Sequence, residues 1–202
     1  MRVTAGMSDV QDELLRTLTK VANALRSAEI PFALTGGCAG YARGGPASEH
    51  DVDLLVREQD ATEAVRVLVS RGLRAAEPPE DWLLKVYDGD SLVDLLFRPN
   101  ERPVTEEILA MAEELPVGSV VLPVMPATYV LTSKLLVLDG HRCDFSELLP
   151  FARALREQID WQQVRDDTKN SPYAEAFLVL IERLDIIGRD HELRAVPRGE
   201  SA

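Results

Sequence analysis

Two carboxylates spaced two apart, Asp51 and Asp53, stand immediately before the apolar run Leu54-Leu55-Val56. Alternate side chains on a β-strand share a face, so this spacing brings both acids together at one end of a sheet. Like charges held that close disfavour one another, and a divalent cation is the usual remedy. Upstream, the run Phe32-Ala33-Leu34 breaks at Gly36-Gly37 and continues through small residues to Arg43. Glycines lack a Cβ, so backbone N–H groups at a helix start can approach a phosphate there. Glycine cradle plus metal-binding acids is the make-up of a nucleoside triphosphate site. A third acid, Asp94, lies in a similar apolar setting, Ser91-Leu-Val-Asp94-Leu-Leu-Phe97.

These residues need elements to carry them. The central unit reads as a strand, a glycine turn, a short helix and a second strand at 51–56. Before it, Val10, Leu14, Leu15, Leu18, Val21, Ala22 and Leu25 recur at spacings of three and four, predicting an amphipathic helix over Asp9–Ala28. After it, Ala61–Arg71 is a crossover helix closed by Gly72. Leu73–Ala76 and Trp82–Tyr87 read as strands, and Asp88-Gly89 as the turn of a hairpin that delivers Asp94 antiparallel to its predecessor, within a mixed sheet. Val104–Glu114 reads as a helix and Val117–Val124 as an apolar stretch. Four helices follow, over 126–138 (opened by Pro126 and carrying Lys134), 145–158, 160–168 and 172–187. The expected organisation is an α/β domain over 1–125, a helical bundle over 126–188 and a flexible tail over 189–202.

Composition limits the options. The chain has 202 residues, enough for a sizeable core, and its 46% hydrophobic content is that of a globular protein. No apolar run reaches the about 18 residues of a membrane span, and Met1–Met7 lacks the apolar core of a secretion signal, so a cytoplasmic protein with no membrane partner is expected. Cys38 and Cys143 are far apart without metal-ligand spacing, the pattern of reduced thiols. The net charge of −12 opposes nucleic acid at long range and suits a basic protein or a small cationic substrate.

The pattern apolar-Gly-Gly, residues 38 to 50, Asp-Val-Asp-Leu, then a later strand with one Asp resembles the DNA polymerase β-type nucleotidyltransferase superfamily. Ser133-Lys134-Leu-Leu-Val-Leu-Asp139 followed by His141-Arg142-Cys143-Asp144-Phe-Ser-Glu-Leu-Leu resembles the bacterial AbiE type II-like nucleotidyltransferase toxins, including the mycobacterial MenT group. The resemblance implies a polymerase β-like mixed sheet followed by a helical bundle. It also implies that Lys134 contacts the nucleotide phosphates, that Asp144 supports the site, that the acceptor is the 3′ end of a tRNA, and that a cognate antitoxin is the partner. From the residues alone, Lys134 reads equally well as a lysine laying its stem along an apolar surface. This chain departs from the family at Glu49, where members often carry Ser or Thr; Ser48 stands one place earlier.

The expected reaction moves a nucleotidyl group from an NTP to an acceptor hydroxyl. Asp51 and Asp53 would hold Mg²⁺ (or Mn²⁺) on the triphosphate, and Asp94 would share a metal and help deprotonate the acceptor. Gly36, Gly37 and Lys134 would hold the phosphates. Arg43 is a further phosphate candidate, with a pair to Glu49 as its alternative. His50 reads either as a ligand or as an orienting neighbour of Asp51. A tRNA would need a local basic mouth, for which Arg43, Lys85, Lys134, Arg142, Arg153 and Arg156 are available. Two other readings stand beside it: adenylylation of a small cationic acceptor such as an aminoglycoside, and a non-catalytic binding protein that keeps the fold.

Overall fold

The computed structural model describes residues 4–48 and 51–188, with side chains from residue 11 onward. Glu49, His50 and the expected tail at 189–202 lie outside the described residues. Helix α1 (Thr4–Ser27) leads into β1 (Phe32–Thr35), and α2 (Gly36–Ala42) starts directly at the glycine pair. Strand β2 (Asp51–Val56), helix α3 (Glu58–Ser70) and strands β3 (Arg74–Ala76), β4 (Leu83–Asp88) and β5 (Ser91–Leu96) follow. A 3₁₀ turn at Pro99–Glu101, helix α4 (Glu106–Leu109) and strands β6 (Glu113–Val117) and β7 (Val120–Val124) precede four helices: α5 (Ala127–Leu136), α6 (Leu148–Leu155), α7 (Trp161–Thr168) and α8 (Pro172–Arg183).

The seven strands form one mixed sheet in the order β3-β4-β5-β2-β1-β7-β6. Central β2 runs antiparallel to β1 and parallel to β5, and β5 is antiparallel to β4. The central strands are apolar because both of their faces are covered: Leu34, Leu54, Val86, Val93 and Leu95 are fully buried. Helix α1 buries Leu18, Val21, Ala22 and Leu25, the stripe its periodicity predicts. Lys20 Nζ reaches Asp88 Oδ1 at 2.5 Å and fastens α1 to the β4–β5 hairpin.

One expected element is replaced. Residues 104–114 do not form a single helix: α4 is a single turn capped by Thr105, whose hydroxyl accepts from Ile108 N, and the chain then turns into edge strand β6. Helix-forming composition loses here to pairing with β7, and Pro116 sits where an edge strand tolerates it. On the other side of the site, α5 packs on α2, α6, α7 and α8 and buries Val130, Leu131 and Leu135.

Candidate active site

The strand register places a polar row across four strands. Thr35 of β1 pairs with Asp53, Asp53 with Asp94, and Asp94 with Lys85 of β4. Directly opposed residues share a face, so the row presents two acids with a lysine at one end. Asp51, two residues before Asp53, joins them: one carboxylate oxygen from each of Asp51, Asp53 and Asp94 lies within 4.8 Å of the others.

Gly36 explains how Asp53 fits. It adopts φ +63, and a Cβ built on it would meet Asp53 Cγ at 2.7 Å. The carboxylate therefore lies on the bare α-carbon, and the left-handed backbone also selects glycine. Gly37 is confined from the opposite side, because a Cβ there would collide with the Ser48 side chain, meeting its Cβ at 3.1 Å.

Electrostatics disfavour charging all three acids together. Burial, then repulsion from Asp51 and Asp94, pushes Asp53 up to about 7, against the pull of Lys134 and Lys85. Burial also raises Asp94, whose Oδ2 is 3.5 Å from Lys85 Nζ, while its Oδ1 is buried without a hydrogen-bond partner. A buried carboxylate oxygen without a donor costs about 1–3 kcal/mol. Three converging carboxylates, one with an orphaned oxygen, fit a hard divalent cation such as Mg²⁺ or Mn²⁺.

Two cavities meet at this cluster. One, about 830 Å³, is lined by Thr35, Gly36, Asp53, Asp94, Asp81, Trp82, Arg98, Asn100, Glu101, Ser133, Lys134 and Arg142, among others. The other, about 680 Å³, is lined by Gly37, Pro46, Ala47, Ser48, Asp51, Asp53, Lys134, Ser146, Glu147, Pro150 and Phe151. Asp53 and Lys134 belong to both, so Lys134 is a cleft lysine. Asn100 and Glu101 hold consecutive left-handed conformations, φ 53 and φ 60, at the rim of the larger cavity. Such strain gathers at working sites.

Two expected site residues are placed elsewhere. Arg43 lines neither cavity: its Nε donates to Met125 O at 2.6 Å, its Nη2 to Val124 O at 3.0 Å, and its Nη1 pairs with Glu113 at 3.0 Å. The guanidinium is spent on tying the end of α2 to β7 and β6, and is not offered to a phosphate. Asp144 is exposed outside both cavities; its Oδ1 accepts from Ser146 N at 2.8 Å, which lowers its pKa. It holds the turn that carries Ser146 and Glu147 to the smaller cavity. Thr35, Trp82, Arg98, Asn100 and Ser133 were not expected at the site. Thr35 is brought there by strand pairing, Trp82 by the loop before β4, Arg98 and Asn100 by the 3₁₀ turn and Ser133 by α5, and none of them carries a local signal that names it as a site residue.

A model of the aminoglycoside-2''-adenylyltransferase family matches residues 17–88. No curated protein matches the chain in sequence. Among solved structures, the crystal structure of ANT(2'')-Ia in complex with adenylyl-2''-tobramycin is similar at TM-score 0.60 and 15% identity, covering 81% of this chain and 98% of that one. The solution structure of ANT(2'')-Ia gives 0.62 and 16%, covering 87% and 96%. A putative nucleotidyltransferase from Thermotoga maritima gives 0.52 and 18%, covering 62% and 85%. In fold this chain is that of the nucleotidyltransferases, and over residues 17–88, which carry Gly36, Gly37, Asp51 and Asp53, it is similar in sequence to the aminoglycoside-2''-adenylyltransferase family.

Proposed function

We propose that this protein transfers a nucleotidyl group from an NTP, ATP first among them, to a hydroxyl of a small cationic acceptor of the aminoglycoside kind. The observation that carries the reading is the position of the Asp51–Asp53–Asp94 cluster at the junction of two cavities, one for each substrate. A bound divalent cation would supply charge neutralisation on the triphosphate and orientation of the reacting oxygens. Asp51, Asp53 and Asp94 would hold it.

The chain's own groups divide the remaining work. Lys134 offsets phosphate charge from α5. Asp94, with its raised pKa, takes the proton of the acceptor hydroxyl as that oxygen bonds to the α-phosphorus; the bond from phosphorus to the bridging oxygen breaks, and pyrophosphate leaves with its electron pair. The larger cavity, on the Asp94 side, suits the acceptor. Its lining carries Glu101, Trp82 and the Asp81–Arg98 pair at 2.8 Å, with Lys134 and Arg142 beside them. Of these, Glu101 and Trp82 are the groups that favour an ammonium. The family match and the net charge of −12 support the same acceptor class.

The tRNA 3′ end and the antitoxin partner implied by the toxin resemblance draw no support from the family match or the fold likeness. Incubation with each α-labelled NTP, Mg²⁺ and either aminoglycosides or total tRNA tests the choice. A labelled aminoglycoside is expected; label on the tRNA 3′ end alone would replace the acceptor, and no label on either would remove the activity.

A further inference from the structure

Asp94 of β5 stands directly opposite Lys85 of β4, and its two carboxylate oxygens meet different surroundings. Oδ2 lies 3.5 Å from Lys85 Nζ, whereas Oδ1 is buried without a hydrogen-bond partner. Both side chains are largely covered, Lys85 at 21% exposure and Asp94 at 10%, so solvent screens the pair less than it would at the surface. Asp51 and Glu80 act on Asp94 as like charges, and Lys85 offsets them. The other lysine at the cluster is placed differently. Lys134 projects from α5 and lines both cavities, while Lys85 lines neither and is not placed to meet a phosphate or an acceptor directly. What Lys85 does reach is the oxygen of Asp94 that the cluster leaves over.

We infer that Lys85 is a positioning residue for the metal site: its ammonium holds Asp94 Oδ2 and so turns Oδ1 toward the cation that Asp51, Asp53 and Asp94 share. The inference rests on the nucleotidyltransferase reading and deepens it, since it gives the third acid a fixed orientation. Partners that hold a metal-ligating carboxylate from behind are worth about 10–100-fold in metal affinity. Lys85 also has an effect of the opposite sign, because its positive charge repels a nearby cation. Removing the ammonium tells the two apart: loss of the charge alone tightens metal binding, and loss of the aimed ligand weakens it.

Calorimetric titration of the full chain with Mn²⁺ tests it. Lys85→Met, which keeps an unbranched stem without the ammonium, should weaken Mn²⁺ binding by about tenfold or more. Lys85→Arg restores a charged donor and should recover most of that loss. With Asp94→Asn already in place, Lys85→Met should cause no further weakening, because the carboxylate that the lysine aims is gone. At saturating Mg²⁺, affinity for the α,β-methylene analogue of the preferred NTP, which cannot release its nucleotidyl group, should change little in Lys85→Met. Unfolding temperatures establish that each variant is folded. Mn²⁺ held as tightly or more tightly by folded Lys85→Met, no recovery in folded Lys85→Arg, or an equal loss on the Asp94→Asn background would overturn the role of Lys85 and leave the activity standing. An unaltered chain that binds neither Mn²⁺ nor the analogue of any NTP would overturn the activity itself.

Discussion

Replacing Asp53 by Asn should make the metal-free protein more stable, and more so as the pH rises. Asp53 lies at about 7 in the folded chain, against 3.8 for a free aspartate, because burial and the neighbouring acids disfavour its charge. Between these values the folded state keeps a proton that the unfolded chain has released. Stability of the unaltered protein therefore falls as pH rises from about 4 to about 7, and is level beyond. At about 1.4 kcal/mol per pH unit, this interval amounts to as much as about 4 kcal/mol. Asparagine keeps the shape without the charge but still buries an amide, so a net gain of about 2–4 kcal/mol is expected at pH 8, or roughly 5–10 °C in Tm for a chain of this size. At pH 4 the gain should vanish. The assay is thermal unfolding by circular dichroism in EDTA across pH 4–8, repeated with Mg²⁺. The cation should raise the Tm of the unaltered chain at pH 8 and leave Asp53→Asn nearly unmoved. A variant that unfolds at or below the unaltered temperature at pH 8 in EDTA would refute the view that the acid cluster is held at a cost.

Other outcomes follow from the same geometry. Gly36→Ala should lower turnover by about a hundredfold or more, since its Cβ displaces the Asp53 carboxylate and the left-handed backbone adds about 1–2 kcal/mol of strain; steady-state kinetics with a folded variant check it. Lys134→Ala should raise the KM for NTP by about tenfold, and Lys134→Arg should recover only part, because a planar fork does not replace a compact ammonium shared between two cavities. Arg43→Lys should cost about 2 kcal/mol in denaturant unfolding, through loss of the bonds to Val124 O and Met125 O, with little change in the KM for NTP. Asp94→Asn should reduce kcat far more than it changes nucleotide affinity, as measured by single-turnover kinetics and titration of the analogue.

Much of the site was legible because its signals are local. The two-residue spacing of Asp51 and Asp53 and the glycine pair each fix their own geometry, and the hairpin signal at Asp88-Gly89 falls one residue short of the observed turn, Gly89-Asp90. What was hidden depends on partners remote in sequence. Arg43 looks like a phosphate ligand from its neighbours, yet its donors go to carbonyls about eighty residues away, which no local pattern announces. Residues 110–114 carry helix-forming composition, but Glu113 is needed on an edge strand, opposite Val124 and within reach of Arg43. Asp144 shares a segment with the cavity wall and shapes it by holding Ser146 N. The departure from the family pattern at Glu49 was visible, with Ser48 one place earlier, but that the Ser48 side chain lies against Gly37 depends on the fold.

The row running from Thr35 through Asp53 and Asp94 to Lys85 has a consequence for how this chain can change over time. Asp94 reaches the cluster only because the two-residue turn Gly89-Asp90, with Gly89 at φ +61, sets the phase of β5 against β4. Inserting one residue there would carry Val93 or Leu95 to the metal-facing side and send the carboxylate into the core. Length variation in this hairpin is thus limited to steps that preserve parity, or to bulges. The 3₁₀ turn at Pro99–Glu101, which borders the same cavity outside the ladder, carries no such constraint and is where the shape of that cavity has freedom to drift.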